Sequence, residues 1–259
     1  MNYHYPRIIS LVTSHIFSIV GIFHLYDIFT MSLFYQFIIW HTVSGFGITA
    51  GAHRLWSHKS FKATFPAKVF LMILNSICNQ GHLIYWCKDH RTHHRYSDTL
   101  EDPHSSIHGF FYSHIGWLFY KKPEEVKNAG KNIQIDDLYD DKVVMFQYKL
   151  FPYWNLFWCF GFPTIYGKYV LNSYWSGFII FGVLRWMICL HSTWCVNSIA
   201  HFYGYTPYKD IPARESLITS IVALGEGSHN YHHTYPYDYA ASEYGILKNW
   251  NPTKLFIDL

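Results

Sequence analysis

The chain has 259 residues, half of them hydrophobic and a fifth aromatic, and only 14% are charged. An average soluble domain carries roughly 25% charged residues. The net charge of +3 gives no indication of a nucleic-acid partner. The five cysteines are scattered without a C-x-x-C pair, so we expect buried reduced thiols rather than a disulfide framework. No small-residue cleavage site follows the first apolar run, so no signal peptide is expected.

Four apolar stretches are long enough to cross a bilayer, which needs about 20 residues for each helix. They run over residues 8–26, 32–51, 153–171 and 175–197. A fifth stretch, residues 69–86, contains several amide and imidazole side chains, so we expect it at the interface or packed inside the protein. The sequence therefore predicts an all-α integral membrane protein with four transmembrane helices.

The distribution of basic residues orients this arrangement. Residues 52–152 contain thirteen Lys or Arg, whereas the short loops after the first and third spans have none clear of the helix ends. Positive charge favours the cytosolic side. We therefore expect both termini in the cytosol, together with a helical cap formed by residues 52–152 and 198–259. With no repeat or linker in the chain, residues 1–259 form a single predicted domain.

Eight histidines fall in three short boxes, all on the predicted cytosolic side. One box has the spacing H-x-x-x-x-H, and two have the spacing H-x-x-H-H. The residues are His53, His58, His90, His93, His94, His229, His232 and His233. Neutral imidazole is the commonest metal ligand in proteins. A single ion takes roughly four to six ligands, so eight imidazoles predict two metals close together.

Helical spacing explains the boxes further. Residues three or four apart share a helix face, so each H-x-x-H-H box is predicted to point its histidines to one side. His53 and His58 are five apart, and we expect them at a helix end, reaching different metals. Ligation by nitrogen without thiolate argues against structural zinc, and the Glu-x-x-His motif of soluble di-iron bundles is not visible. Non-haem iron used with O₂ fits this ligand set, although spacing alone does not separate iron from copper.

Asn197 and His201 lie four residues apart at the end of the fourth span. His201 could complete the ligand set, and Asn197 could hold a metal-bound water or act behind the ligands. Polar groups that cap a helix C-terminus would have the same spacing, so both interpretations stay open. Four isolated histidines in or near the spans are expected to bond to helix neighbours or to lie at the interface. These are His15, His24, His41 and His191.

The flanks of the boxes extend the pattern over nearly the whole chain. They read GITAGAHRLWSH (47–58), DPHSSIHGFFYSHIGW (102–117), WCVNSIAHFYGYTPY (194–208) and YPYDYAASEY (235–244). With these flanks, residues 8–257 resemble the membrane acyl-CoA desaturases of the stearoyl-CoA (delta-9) type. The resemblance implies a di-iron enzyme of the endoplasmic reticulum membrane, active in fatty acid biosynthesis. Such an enzyme uses O₂ and two electrons to insert a cis double bond into a saturated fatty acyl-CoA, commonly at carbon 9.

The resemblance also implies roles for individual residues. The eight box histidines and His201 match the nine iron ligands of the family, and Asn197 matches a residue that reaches a metal through water. Trp86, Trp117 and Trp194 match family residues along the acyl chain. Gln80 and Thr193 match residues near its bend. The residues that match the CoA end are Lys88, Asp89, Lys121 and Lys122. The chain departs from the family pattern at three positions. Lys88 replaces the usual arginine, His82 replaces a smaller or acidic residue, and Ser228 replaces an aromatic residue.

Neither the His-Pro-Gly-Gly haem motif nor a G-x-G-x-x-G nucleotide motif occurs. We therefore expect electrons from a separate carrier, cytochrome b5, reduced by NADH-cytochrome b5 reductase and docked on the basic cytosolic face. The alternative within the same class is a hydroxylase or another lipid desaturase with a different regiochemistry or acyl carrier. The alternatives from other classes are a haem-based electron carrier and a metal transporter. They are disfavoured because the boxes lie beyond the span ends and no acidic relay crosses the spans.

Overall fold

The computed structural model describes residues 2–208, 211–244 and 249–259. These residues are mainly helical, and their only β-structure consists of isolated bridges. The all-α prediction agrees with this. The α-helices are α1 (Tyr5–Asp27), α2 (Met31–Phe46), α3 (Phe65–Cys78), α4 (Leu83–Tyr96), α5 (Phe110–His114), α6 (Glu124–Lys131), α7 (Asp136–Asp140), α8 (Lys142–Leu150), α9 (Tyr153–Leu156), α10 (Phe162–Leu171), α11 (Tyr174–Ser176), α12 (Arg185–Phe202), α13 (Leu217–Val222), α14 (His229–Thr234) and α15 (Pro252–Asp258). Two short 3₁₀ turns, Ser106–His108 and Gly116–Phe119, flank α5.

Three π-helical segments join α-helices into longer rods. Gly47–Ser57 continues α2, Phe157–Gly161 joins α9 to α10, and Gly177–Leu184 joins α11 to α12. The chain stays right-handed through each junction; Gly47, for example, has φ −61° and ψ −29°. Together with α1, these rods cover the four apolar stretches predicted from the sequence.

Two of the rods are long and apolar enough to cross a membrane. They are Tyr5–Asp27 and Tyr174–Phe202, with mean hydropathies of 1.9 and 1.5. The other two predicted spans, residues 32–51 and 153–171, are also helical. Among the described residues, however, they do not combine the length and the mean hydropathy that a membrane-crossing helix needs. The structure thus supports a helical protein with two candidate membrane-crossing helices.

Local sequence signals explain where several helices begin and end. Thr30 caps α2, because its side chain accepts a hydrogen bond from the Leu33 amide at 3.1 Å. Pro66 lies in the first turn of α3, where its missing N–H costs nothing. Asn79 ends α3 and Asn172 ends α10 in the left-handed conformation that asparagine tolerates at helix C-termini.

The polar residues of the fifth apolar stretch are satisfied inside the protein. Gln147 on α8 donates to Asn75 Oδ1 and to Ser76 Oγ, both at 2.9 Å. Its carbonyl oxygen accepts from the Leu83 amide at 2.8 Å. All four residues are buried. Because these buried groups have partners, α3 packs as an internal helix, which is one of the two placements expected from the sequence.

The isolated histidines bond between helices rather than along them. His15 on α1 lies 3.1 Å from His191 on α12, measured between Nε2 atoms. His191 Nδ1 in turn lies 3.0 Å from His114 Nε2. His24 contacts Ser176 at 2.9 Å. His41 Nδ1 lies 3.2 Å from Cys189 Sγ on α12. The expected bond within one helix is present at His15, whose Nδ1 lies 2.7 Å from the Leu11 carbonyl. The side chains act mainly as cross-links between rods.

Candidate metal centre

Nine histidines from four separate segments converge in the structure. The π-helical segment Gly47–Ser57 and the residue after it supply two, α4 and α14 supply three each, and the end of α12 supplies His201. Six of the nine are buried and three are half-buried. They form two groups whose ligand nitrogens lie within 4.8 Å of one another. The first group is His53, His58, His90, His94 and His232, and the second is His93, His201, His229 and His233.

The spacing within each group suits one ion. In the first group, Nε2 atoms lie 2.7 Å apart for His58 and His90, and 3.0 Å apart for His94 and His232. In the second, His229 Nε2 lies 3.1 Å from His201 Nε2. With metal–nitrogen bonds of about 2.1 Å, neighbouring ligand atoms would be about 3.0 Å apart and opposite ones about 4.2 Å. Both groups could therefore hold a metal ion.

His53 and His58 lie in the same group, so the expectation that they reach different metals is wrong. The cause is the π-helical turn between them. Its hydrogen bonds run from residue i to i+5, and the His58 amide donates to the His53 carbonyl at 3.1 Å. Residues five apart then stack on one face. Regular α-helical spacing would have separated the two rings.

The two H-x-x-H-H boxes each divide between the groups. On α4, His90 and His94 are one turn apart and enter the first group, whereas His93 enters the second. On α14, His229 and His233 enter the second group and His232 the first. Each helix thus contributes to both groups, which keeps the two candidate metal positions close together.

Three buried carboxylates contact the Nδ1 atoms of three of these histidines. Asp102 lies 2.8 Å from Nδ1 of His93, and Asp98 lies 2.7 Å from Nδ1 of His201. Such contacts fix the ring and its tautomer so that Nε2 faces the metal position. Glu226 does the same for His53 at 3.0 Å. The sequence analysis did not find these carboxylates, because no fixed spacing relates them to the boxes.

The environment keeps most of these imidazoles neutral. Burial, followed by the neighbouring histidines, holds the pKa of His94 well below its usual range. Burial is also the largest cause of the strongly lowered pKa of five others, which are His58, His90, His229, His232 and His233. His93 differs: burial lowers its pKa, but Asp102 outweighs burial and raises it overall. Neutral rings offer the lone pairs that a metal ion needs.

Two cavities, which we call the entrance cavity and the inner cavity, adjoin the histidine groups. The entrance cavity encloses about 1000 Å³, its open mouth included, and the inner cavity about 660 Å³ on the same measure. They share four lining residues, which are Trp86, His90, Thr193 and Asn197. The inner cavity is also lined by His53, His229, His41 and Leu224. The two cavities therefore lie next to each other beside the histidine groups.

Most of the predicted substrate residues line the entrance cavity. Those that do are Gln80, Trp86, Asp89, Trp117, Thr193 and Trp194. Gln80 donates to Thr193 Oγ1 at 2.7 Å and accepts from the Trp86 indole at 3.0 Å. These contacts lie where the two cavities adjoin. His104 also lines this cavity, and its ring centre lies 4.5 Å from that of His93.

The family model for fatty acid desaturases matches residues 28–249. The chain belongs to the fatty acid desaturase family. It is 49% identical over 221 residues to the delta(9)-fatty-acid desaturase fat-7 of Caenorhabditis elegans, an alignment that covers 84% of this chain and 64% of that relative. It is 44% identical to fat-6 of the same organism, over 94% of the chain and 72% of the relative. Against stearoyl-CoA desaturase 5 of Bos taurus, identity is 47%, covering 83% and 64%. The chain thus spans just under two thirds of two of these desaturases.

The predicted CoA-binding residues of this desaturase-family chain are divided between the entrance cavity and separate surface recesses. Lys122 Nζ lies 2.5 Å from Asp89 Oδ1 and 4.6 Å from the centre of the Tyr85 ring. Lys121 lines surface recesses beside the N-terminal residues. Lys88 lies apart from them, in a recess formed with Gly130–Asp136. The structure therefore brings Asp89 and Lys122 together, whereas Lys88 faces a different recess.

The other two departures from the family pattern have local partners. His82 caps α4, because its Nδ1 accepts from the Tyr85 amide at 3.2 Å. The Ser228 hydroxyl lies 3.2 Å from Ser242 Oγ and accepts from Asn249 Nδ2 at 2.8 Å. Ser228 also contacts the third box, because its carbonyl accepts from the His232 amide at 2.9 Å.

Proposed function

We propose that the chain is an O₂-dependent di-iron desaturase that inserts a cis double bond at carbon 9 of a saturated fatty acyl-CoA. The observation that supports this proposal is that members of both histidine groups line two adjoining cavities. Identity of 44–49% to relatives named as delta(9) and stearoyl-CoA desaturases supports the substrate and the bond position.

The donor set fits two iron ions. The five nitrogens of the first group and the four of the second would hold one ion each, and Asn197, which lines both cavities beside them, would reach a metal through water. Bound iron would supply, with O₂, the oxidant that removes hydrogen from an unactivated methylene. Neutral imidazoles suit iron used in this way. The buried carboxylates Asp98, Asp102 and Glu226 would hold the rings in place.

The cavities would position the acyl chain for this reaction. Methylenes differ only in their distance from the thioester, so a rigid path has to select the reacting carbons. The chain would pass from the entrance cavity, between Trp117 and Trp194, to the contact between Gln80 and Thr193, where it would bend into the inner cavity. Asp89, Lys121, Lys122 and Lys88 would contact the CoA end at the mouth.

A membrane location follows from the same proposal. Residues 1–259 would form one domain with four spans in the endoplasmic reticulum membrane, surrounded by membrane lipid. Both termini, the cap and the metal centre would face the cytosol. Two apolar helices and the basic segment 52–152 support this topology. Cytochrome b5, reduced by its NADH-dependent reductase, would supply the electrons.

The decisive experiment is expression of the chain in a desaturase-deficient yeast, followed by feeding with isotopically labelled stearoyl substrate. Mass spectrometry should locate a new double bond between carbons 9 and 10 of labelled oleoyl product. The variants His94→Ala and His232→Ala, each lacking one first-group ligand, should make no product although they reach the membrane in normal amounts.

A hydroxylated product would replace the desaturase proposal with a hydroxylase. A double bond elsewhere would overturn the assigned position. Near-normal product from either histidine variant would remove those residues from the metal centre.

A further inference from the structure

Three histidines outside the metal centre form a continuous chain of hydrogen bonds. His15 on α1 and His191 on α12 meet through their Nε2 atoms at 3.1 Å. His191 Nδ1 then lies 3.0 Å from Nε2 of His114 on α5. All three side chains are half-buried, and each of their ring nitrogens has a partner. We call His15, His191 and His114 the histidine chain.

Both ends of the histidine chain meet oxygen atoms. His15 Nδ1 lies 2.7 Å from the Leu11 carbonyl, which can only accept a hydrogen bond. His114 Nδ1 lies 2.9 Å from Ser198 Oγ, which can accept from the ring or donate to it. The Ser198 hydroxyl also lies 2.9 Å from the Trp194 carbonyl. The ring nitrogens thus make four contacts, and each contact needs one proton.

The proton count of the histidine chain has two complete solutions. Three neutral imidazoles carry three N–H protons, and the Ser198 hydroxyl supplies the fourth when it turns toward His114. When the hydroxyl instead donates to the Trp194 carbonyl, His114 Nδ1 has to donate, and the chain needs one further proton. The Trp194 carbonyl keeps its helical bond on α12 in both cases. Every contact is therefore satisfied both without and with one extra proton.

The neutral form fixes one tautomer for each ring. Because the Leu11 carbonyl only accepts, His15 carries its proton on Nδ1 and accepts at Nε2. His191 must then donate from Nε2, and His114 must donate from Nε2 to His191 Nδ1. An added proton enters at His114 Nδ1, and the N–H···N contacts allow the positive charge to move from ring to ring. A charge shared in this way is less costly to bury than one held on a single ring.

The Ser198 end of the histidine chain lies beside the candidate metal centre. Ser198 directly precedes Ile199 on α12 and directly follows Asn197, which lines both cavities. His201 is on the same helix three residues later. A proton that leaves His114 through the Ser198 hydroxyl therefore emerges next to the histidine groups.

The surroundings allow the histidine chain to gain and lose a proton. The charged side chains that line the adjoining entrance cavity are Arg7 and Asp89, which have opposite signs. Burial lowers the pKa of His114, and its hydrogen bond with the Trp194 backbone offsets this only in part. A proton on the chain is therefore held weakly enough to leave. The other titratable groups on the elements that pack here are Cys195, one turn from His191, and His108 and Tyr112 near His114.

We propose that the histidine chain is a proton-binding site, which takes up one proton and releases it through Ser198 toward the metal centre. The inference rests on the proposed function, because desaturation consumes protons as O₂ is reduced to water. One O₂, two electrons from the carrier, two protons and the two hydrogens removed from the acyl chain give the alkene and two water molecules. The histidine chain would supply these protons one at a time and refill from solvent.

The first test uses metal-free protein in lipid nanodiscs, with nitrogen-15 in the histidine rings. At high pH, NMR spectra should show the proton on Nδ1 of His15 and on Nε2 of His191 and His114. Lowering the pH from about 8 to about 5 should shift the signals of the three rings together, with a total gain of one proton. The signals are assigned with the single variants His15→Asn, His191→Asn and His114→Asn.

Three outcomes would overturn the proton-binding site. The first is no gain of a proton over that interval. The second is an independent gain of one proton by each ring, as expected for unconnected histidines. The third is a different set of tautomers at high pH, since the hydrogen-bond contacts allow only one.

The second test measures turnover of the iron-loaded protein. His191→Asn keeps a donor and an acceptor but cannot carry a proton. The kcat should fall at least about fivefold, while the KM for stearoyl-CoA stays within about twofold. His24→Asn is the matched control, because His24 also links α1 to the rod that contains α12, through Ser176 at 2.9 Å, but lies outside the histidine chain. It should leave kcat unchanged.

An unchanged kcat in His191→Asn, or an equal loss in His24→Asn, would overturn proton release to the centre. Failure of the proposed function would appear separately. Absence of product from the unaltered, iron-loaded chain would contradict the desaturase proposal, while the spectra of the metal-free protein would still decide the proton-binding site. Normal product without the predicted proton gain would overturn the proton-binding site alone.

Discussion

At the scale of single residues, the centre depends on groups that stand behind the histidines. Asp102 is buried, and its two oxygens serve His93 Nδ1 at 2.8 Å and the backbone amides of Asp98 and His104 at 2.9 and 3.1 Å. Burial raises the pKa of Asp102, but its interactions with His93 and His104 and its hydrogen bonds outweigh burial and lower that pKa to about 2. The carboxylate is therefore ionised at any cytosolic pH and orients His93 toward the second group.

Asp102→Asn should weaken metal binding to the second group. The amide keeps the shape of the side chain but loses the charge that holds the imidazole ring. Loss of such a supporting group typically costs about 10–100-fold in metal affinity. Iron titration of the metal-free protein would measure the effect, with Glu101→Gln as the neighbouring control that should leave affinity unchanged. Unaltered iron affinity in Asp102→Asn would show that His93 does not need the carboxylate.

The lysines at the mouth give a second prediction at this scale. Lys121→Ala combined with Lys122→Ala should raise the KM for stearoyl-CoA more than it lowers kcat, because the lysines would hold the CoA and not the reacting carbons. Lys127→Ala, which removes an exposed cation from the same recess, is the control. Steady-state kinetics would decide the matter, and an unchanged KM in the double variant would exclude the two lysines from the CoA site.

The residues of the centre were only partly predictable from the sequence. The two H-x-x-H-H boxes made six histidines visible, the H-x-x-x-x-H box added His53 and His58, and the family resemblance supported His201. The carboxylates carried no such signal, since Glu226 supports His53 from 173 positions away and Asp102 follows His93 by nine. Contacts of this kind depend on the fold, which places distant segments together.

At the scale of elements, the π-helical segment Gly47–Ser57 decides how the first box is used. It also packs closely on α3, and Gly47 lies at their contact. A Cβ atom at position 47 would lie 2.1 Å from the Asn75 amide nitrogen and 2.2 Å from the Leu74 carbonyl carbon. Both neighbours are backbone atoms inside a helix, so they cannot move independently. The absence of a side chain at Gly47 allows this approach.

Gly47→Ala should therefore destabilise the protein and displace the first box. Overpacking of this kind typically costs about 1–3 kcal/mol. Thermal unfolding in detergent should show a lower midpoint, and iron binding to the first group should weaken. Gly182→Ala is the matched control, because Gly182 also lies in a π-helical segment but its added Cβ would meet only ordinary contacts of 3.5 Å or more. An equal midpoint for the two variants would refute the packing argument.

The sequence predicted the rods well and their internal geometry poorly. Apolar composition located all four helical rods within a few residues. It could not show that three of them contain π-helical turns, because hydrophobicity that surrounds a helix on all sides does not reveal its period. The error over His53 and His58 has this origin. The spacing of two residues in the sequence predicts whether their side chains share a site only when the type of helix between them is known.

At the scale of the whole molecule, the centre joins parts of the chain that are far apart. Arg54, next to His53, is buried and binds the Tyr239 carbonyl at 2.9 Å and Glu226 at 2.9 Å. The first box is thereby tied to the segment that follows α14. Each metal position would add further links among the Gly47–Ser57 segment, α4, α12 and α14. Ligand binding to an assembled site of this kind stabilises the fold, because the unfolded chain does not present the site.

Loading with iron should therefore raise the thermal midpoint of the metal-free protein. An ion present at 100 times its dissociation constant contributes about 2.7 kcal/mol, so two ions would raise the midpoint by roughly 10 °C in a chain of this size. His94→Ala and His229→Ala, which each impair one group, should each lose about half of the rise, because the other group still binds. Differential scanning fluorimetry with and without iron would measure it. A midpoint that does not respond to iron would contradict two metal positions assembled by the fold, and complete loss in either variant would show that the two groups bind only as a unit.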